Sequence, residues 1–314
     1  MGQQHNLVRE QLVVNEVTLT AVGMFKVGWK KKECQDRICL SIHSGSNALL
    51  AAVFDGHGLG GESAAVLACN VVQQCFKELV DAENAPSTAI LERCISVADS
   101  EILTKAELEK RKFLRRRSVC LYREKRSFGS WEYGTTALVC SLHPEDEGVR
   151  FICSNVGDSR CFLFRKFENF CTVEEIGSPH NPNTRFDEIE RISNANGRIV
   201  GSHPFLRVSS TTEVVTSLCM TRSLGHVEMR HSGISQTPES LDFLIDSSCM
   251  VIIASDGIWD VLASSKISQL ALEHWTNPET LAESVLNAAD QQWRRSKRYS
   301  GDDCSLVAIG ISME

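Results

Sequence analysis

The stretch AAVFDGHGLGG, Ala51 to Gly61, decides how the rest of the chain is read. The apolar run from Leu49 to Phe54 predicts a buried strand that ends on Asp55, turns through Gly56, His57 and Gly58, and passes Gly60 and Gly61 into a helix. Such a turn sets one carboxylate and one imidazole at the open mouth of a strand. Glycines lack a Cβ, so backbone carbonyls and N–H groups can approach a ligand closely there. A carboxylate beside bare carbonyl oxygen suits a hard cation such as Mg²⁺ or Mn²⁺. On its own, the stretch is equally well read as a tight strand-to-helix turn whose aspartate satisfies local amides.

Outward from this stretch, β-branched residues predict a strand over Val17–Phe25 and another over Arg37–Ile42, with Ser44–Asn47 as the turn into the Asp55 strand. Apolar spacing predicts a helix from Gly61 to about Leu79, striped by Val66, Cys69, Val72 and Phe76. A second helix, Thr88–Arg111, carries Leu91, Ile95, Ala98 and Ile102. From Tyr133 the pattern turns to short strands: Thr135–Leu142, Val149–Val156, Cys161–Phe164 and Cys171–Ile176. A helix near Asp187–Asn196 is expected to stop at Gly197 in the left-handed conformation. Strands at Val214–Met220 and Cys249–Ala254, helices at Ser264–Trp275 and Pro278–Trp293, and a last strand at Ser305–Ile311 complete the chain. Strands in succession, then helices, then a closing strand predict an α+β sandwich with mainly antiparallel sheets. The chain reads as one domain over 1–314, with an N-terminal extension (1–16) and a basic insertion near 105–130.

Composition narrows the function. The chain has 314 residues and a formal charge of −7, which offers no net drive from counterion release and speaks against nucleic acid as the main partner. Its 13 cysteines include no C-x-x-C pair. Cys140, Cys153, Cys219 and Cys249 lie in apolar runs, where a free thiol behaves as a small hydrophobe. A reducing compartment, without zinc site or disulfide framework, is the expectation. That places the protein in the cytoplasm or nucleus. No apolar run is long enough to span a bilayer. Met1-Gly2 opens the chain, but Asn6 stands where the stricter myristoylation pattern wants Ser or Thr. Membrane contact is expected only through an acylated Gly2. The Lys- and Arg-rich strip from Lys105 to Arg126 reads as a solvated helix end, or else as a docking strip for an acidic partner or anionic lipid.

The arrangement at Asp55 recurs. Asp158 follows a strand and a glycine in SNVGDSR, Asp256 follows a strand in VIIASDGIWD, and Gly301-Asp302-Asp303 precedes the last strand. Asp36 stands beside the second strand. Any single Asp-Gly pair is ordinarily a hairpin turn. Several strand-end carboxylates brought together would repel one another unless cations neutralised them. A pair of divalent ions is a common solution, and such pairs activate water for attack at phosphorus.

In these motifs the chain resembles the PP2C-type metal-dependent protein serine/threonine phosphatases, from about Val17 to Ser312. The segments are ECQD, VFDGHGLGG, GTTA, NVGDSR, PHNPN with ERI, MTRSLGH, ASDGIWDVL and GDDCSLVAI. The resemblance implies an αββα sandwich, two mainly antiparallel sheets packed face to face and flanked by helices. It implies hydrolysis of phosphoserine and phosphothreonine in phosphoprotein substrates by direct attack of a water bridging two Mg²⁺ or Mn²⁺ ions, with a weaker third site. Asp55 would bridge the ions, Asp256 and Asp302 would complete the first ion's ligands, and the Gly56 carbonyl would hold the second. Asp158 would belong to the third site and Asp36 would orient water. His57 would act as general acid, an imidazole of ordinary pKa near working pH being suited to that task. Thr136 is expected to support these ligands. Oligomeric state is not set by the sequence, a monomer being the default.

The chain also departs from that family. Gln35 replaces a usual glutamate, which removes a charge and would weaken the second ion. Lys31 stands where an arginine often grips the substrate phosphate, and lysine makes no two-pronged contact. Pro179-His180-Asn181-Pro182 and Leu224-Gly225-His226 replace Asp-His-Lys-Pro and Leu-Gly-Asp, and His226 reads as a surface histidine. Two other readings exist. One is a non-catalytic relative that has kept the fold. The other is a nicotinamide enzyme, since Gly56 to Gly61 formally satisfies G-x-G-x-x-G; Asp55 before the first glycine would repel pyrophosphate.

Overall fold

The computed structural model describes residues 6–117, 132–210, 217–296 and 300–313. Gly2 and residues 118–130 of the basic insertion lie outside them, as do residues 214–216 of the expected Val214–Met220 strand, of which Ser217–Leu218 is seen.

The strand Ala48–Phe54 explains the layering. All seven of its residues are buried. Side chains alternate across a strand, so Ala48, Leu50, Ala52 and Phe54 face one apolar cluster and Leu49, Ala51 and Val53 another. The first cluster is roofed by the helices Gly61–Glu83 and Thr88–Arg117. The second lies between two sheets, where Val251, Ile253, Val307 and Ile309 meet it from the facing side. Those facing strands alternate in turn: Met250, Ile252, Leu306 and Ala308 point outward onto Ile267, Leu281, Val285 and Leu286 of the last two helices. Helix, sheet, sheet and helix follow, as the α+β reading expects.

The first sheet runs in the order Glu239–Ile245, Gly148–Val156, Ala137–Glu145, Ala48–Phe54, Arg37–His43. The second runs Asn6–Val14, Val17–Lys26, Cys304–Met313, Cys249–Ala254, Arg160–Phe167, Phe170–Ile176. Every pairing within both is antiparallel.

Several details differ from the expectations. Asn6–Val14, read as an extension, pairs along its whole length with Val17–Phe25 as an edge strand. Glu239–Ile245 is an edge strand with no counterpart in the sequence reading. In the first long helix Val66 and Cys69 are only half-buried, while Ala64, Ala65 and Ala68 take the closest contact with the sheet. The helix Phe186–Asn194 ends before Gly197, and the left-handed residue is Asn196 at φ 60°. Gly197 is needed instead for space, since a Cβ there would lie 2.2 Å from the Ser232 carbonyl oxygen. The described cysteines are all free thiols. Cys140, Cys153 and Cys161 meet between the sheets with their sulfurs within 4.8 Å of one another, a grouping their sequence spacing does not suggest.

Candidate metal centre

Asp55 follows directly on the doubly buried strand. Its amide donates to Thr136 Oγ1 at 3.0 Å, and the Thr136 amide donates back to its carbonyl at 2.9 Å. Thr136 Oγ1 also bonds Ser159 Oγ at 2.9 Å, which ties the turn at Asp55 to the loop carrying Asp158. Gly56 and His57 pair with Thr135 and Gly134 as a short ladder. The turn is tight, for a Cβ on Gly56 would lie 2.3 Å from the Gly61 carbonyl oxygen and 2.6 Å from that of Gln35.

The other acids arrive from strands of both sheets. Asp256 opens a four-residue helix directly after Cys249–Ala254, and Asp302 stands just before Cys304–Met313. The two connections cross so closely that a Cβ on Gly257 would be 1.8 Å from the Asp303 carbonyl oxygen. Asp36, 1 % exposed, accepts from Ser255 Oγ at 2.9 Å, and Ser255 Oγ accepts from the Ser305 amide at 3.1 Å.

Electrostatics place these carboxyls in one cluster. Burial first, then Asp36, Asp256, Asp302 and Asp158, hold the Asp55 carboxyl well above the carboxylate range. Asp256 is raised by burial, then by Asp158, Asp302 and Asp260. Burial and Asp303 push Asp36 up to about 7, and burial likewise pushes Asp158 up to about 7. Asp158 Oδ1 and Asp256 Oδ1 are buried without a hydrogen-bond partner. Unpaired carboxylate oxygens that resist ionising because of burial and of one another are a donor set suited to hard divalent cations, which release protons on binding. The residues therefore fit the metal ions the sequence reading called for.

Lys31 sits at the rim of the cluster. Its Nζ lies 2.5 Å from Asp302 Oδ1 and 3.2 Å from Asp303 Oδ2. Burial works against its charge, but the two carboxylates outweigh that and raise its pKa. Gln35 is held by its amide: Nε2 donates to the Gly58 carbonyl at 2.9 Å, and its backbone N–H donates to Asp303 Oδ2 at 3.0 Å. A glutamate could not donate to Gly58, so this substitution has a structural use here.

His57 departs from expectation. Nδ1 lies 3.1 Å from the Asp55 carbonyl oxygen and Nε2 lies 3.0 Å from Ser223 Oγ. Burial, followed by the neighbouring His226, pushes its pKa down to about 3 rather than leaving it near neutrality. His226 is not a surface residue: it is 1 % exposed and stacks on His57. His180, from the other altered motif, is fully buried, and its Nδ1 accepts from the Gly157 amide at 3.1 Å. That bond fixes the loop before Asp158.

Sequence reasoning passed over Asp303, Ser255, Ser159 and Ser223. Asp303 is 2 % exposed and accepts from the Gly28 amide at 2.7 Å as well as from Gln35 and Lys31, which makes it the scaffold of the rim. Its one sequence signal was the Asp302-Asp303 doublet. The serines gave none.

A cleft of about 720 Å³ opens beside the acids, lined by Asp158, Asp256, Arg160, Arg207, Cys219 and Trp259 among others. Its volume suits a ligand of drug or short-peptide size.

Comparison with known proteins bears on this geometry. Residues 21–296 match the family described as protein phosphatase 2C. "Probable protein phosphatase 2C 61" of Arabidopsis thaliana is 28% identical over 285 residues, which cover 88% of this chain and 80% of that protein. A serine-threonine phosphatase 2C from Toxoplasma gondii superposes with a TM-score of 0.75 at 15% identity, over 99% of this chain and 100% of that one. The catalytic domain of the serine threonine protein phosphatase PstP, solved in complex with 2 manganese ions, superposes with a TM-score of 0.57 at 16% identity, over 94% and 99% of the two chains.

Proposed function

The chain belongs to the protein phosphatase 2C family of metal-dependent protein phosphatases, and from that premise we propose that it hydrolyses phosphoserine and phosphothreonine in phosphoprotein substrates. The observation that carries this reading is the convergence of Asp55, Asp256, Asp302, Asp158 and Asp36: burial, then mutual repulsion, holds the carboxyls of Asp55, Asp256, Asp158 and Asp36 above the ordinary range, and two of the oxygens are unpaired. Asp55, Asp256, Asp302 and the Gly56 carbonyl would hold two Mg²⁺ or Mn²⁺ ions, with Asp158 at a weaker third site. When bound, such ions neutralise phosphoryl charge and supply an activated water for direct in-line attack.

The chain's own residues do the rest. Thr136 and Ser255 keep Asp55 and Asp36 in place through the hydrogen bonds given above. Asp36, close enough to Asp55 to raise its pKa, would accept a hydrogen bond from that water. His57 is the general acid for the serine or threonine leaving oxygen. To donate it must be protonated in the substrate complex, and the negative charge that develops on the leaving oxygen favours imidazolium against burial. Lys31, tethered at the rim, provides a point charge toward the phosphate.

Phosphoproteins are the partners this reading implies, in the cytoplasm or nucleus, with membrane contact only through acylation of Gly2. No helix among the described residues is long and apolar enough to cross a membrane.

The test is release of phosphate from phosphoserine and phosphothreonine peptides with Mn²⁺ or Mg²⁺, beside Asp55→Ala and Asp256→Ala. Wild-type activity well above both variants is expected. Activity no greater than theirs would overturn the assignment.

A further inference from the structure

The His57 and His226 rings stack with centroids 4.8 Å apart and planes 13° from parallel. Nothing in the reaction outlined above uses His226. Its surroundings are nevertheless built to bring it to this place. His226 has a β-carbon yet is held at φ 53°, a left-handed conformation that disfavours side chains by about 1 kcal/mol. Opposite it stands Gly134, the residue paired with His57 across the short ladder. A Cβ on Gly134 would come within 2.6 Å of His226 Cδ2. The His226 amide donates to the Tyr133 carbonyl at 2.9 Å, which fixes the approach of the backbone.

The ring's edges are little used. Neither nitrogen makes a hydrogen bond, and the nearest acidic atom, Glu132 Oε1, lies 3.4 Å from Nδ1. Glu132 itself accepts from the Glu228 and Met229 amides, so it borders the ring as a fixed wall. What His226 offers the site is its face. His57, for its part, is held at both nitrogens but only in its own plane, by Asp55 O and Ser223 Oγ. Those two bonds put nothing against the faces of the ring, and a parallel ring packed on one face limits its tilt about the Cβ–Cγ bond.

We infer that His226 is a positioning residue for His57, its ring face holding the His57 imidazole in the plane from which it donates to the leaving oxygen. The inference rests on the phosphatase reading, with His57 as general acid. It has a consequence that simple core packing lacks. Protonation matters greatly for a poor leaving group such as a serine alkoxide and little for p-nitrophenolate, which leaves as a stable anion. A loosened His57 therefore harms the two esters unequally.

The experiment compares a phosphoserine peptide with p-nitrophenyl phosphate, both with saturating Mn²⁺, in His226→Leu and His226→Phe. Leucine fills similar space without a ring, and phenylalanine keeps the ring face without the nitrogens. For His226→Leu the loss of kcat on the peptide is expected to exceed the loss on p-nitrophenyl phosphate by roughly tenfold, a fraction of what general acid catalysis supplies. His226→Phe should recover most of that difference. Added to His57→Ala, His226→Leu should cost no further peptide activity, since it acts through a group already removed. Equal losses on the two esters, or additive losses in the double variant, would overturn the inference and leave the phosphatase reading standing. Absence of Mn²⁺-dependent hydrolysis by the wild type would overturn both.

Discussion

Lys31 Nζ lies 2.5 Å from Asp302 Oδ1, so one of the expected metal ligands already holds a cation of the protein's own. A divalent ion at Asp302 would compete with that ammonium, which would keep Asp303 Oδ2, 3.2 Å away, as its partner at the rim. Lys31→Ala is expected to bind Mn²⁺ more tightly and to bind phosphopeptide less well. The gain in Mn²⁺ affinity should be modest, up to roughly fivefold, because a part-exposed ion pair is worth about 1 kcal/mol at most. Titration calorimetry gives the first change and a raised KM the second. Weaker Mn²⁺ binding in the variant would mean that the ammonium assists the ion.

Asp36 and Asp158 each have a pKa of about 7 in the fold, raised chiefly by burial. The folded chain keeps these protons to higher pH than the unfolded chain, whose carboxyls titrate near ~4. Their contribution to stability is therefore fully present below ~pH 4 and is lost as pH rises to about 7. Without divalent ions, the melting temperature should fall between about pH 5.5 and pH 7.5 from this cluster. Mn²⁺ takes the protons' place, so it should raise the melting temperature more at the upper pH. A Mn²⁺ shift larger at the lower pH would contradict the proton-for-metal exchange.

Asp256→Asn removes a charge from a buried group of like charges. Metal-free protein carrying it should melt at or above the wild-type temperature, while the Mn²⁺-induced shift should largely disappear. A variant that melts well below wild type would show the carboxylate to be structurally required in its own right.

Gln35→Glu restores the acid that the family commonly has, but it sets a carboxylate against the Gly58 carbonyl where Nε2 now donates. Loss of that bond should lower metal-free stability by about 1 kcal/mol. Mn²⁺ affinity should rise, since the site gains a charge. Urea denaturation and calorimetry on the same variant separate the two effects.

The parts of the centre legible beforehand are those set by neighbours in the chain. Asp55, Asp158, Asp256 and Asp302 could be picked out because each adjoins an apolar strand and most adjoin a glycine. An α+β sandwich was legible in the order of strands and helices, and its αββα layering only through the family resemblance; strands apolar on both faces, such as Ala48–Phe54 and Cys249–Ala254, are what build it. What escaped depends on segments distant in sequence. Asn6–Val14 and Glu239–Ile245 are edge strands that bury little, so their alternation is weak and pairing alone defines them. His226 read as a surface histidine because the approach of Tyr133 and Gly134, far back in the chain, is what buries it. The low pKa of His57 has the same origin, since burial and a second imidazole both come from elsewhere in the fold.

Gly257 crosses the Asp303 backbone with no room for one more carbon atom. Neither group carries a charge, yet the spacing of Asp256 from Asp302 is set by this contact between main chains. Gly257→Ala would force the two connections apart, at about 3 kcal/mol if the strands resist. The acids would then stand too far apart to share a pair of ions, with every carboxylate intact. A missing methyl group is in this sense the gauge of the centre: a survey of substitutions confined to charged positions would miss the residue on which their separation depends.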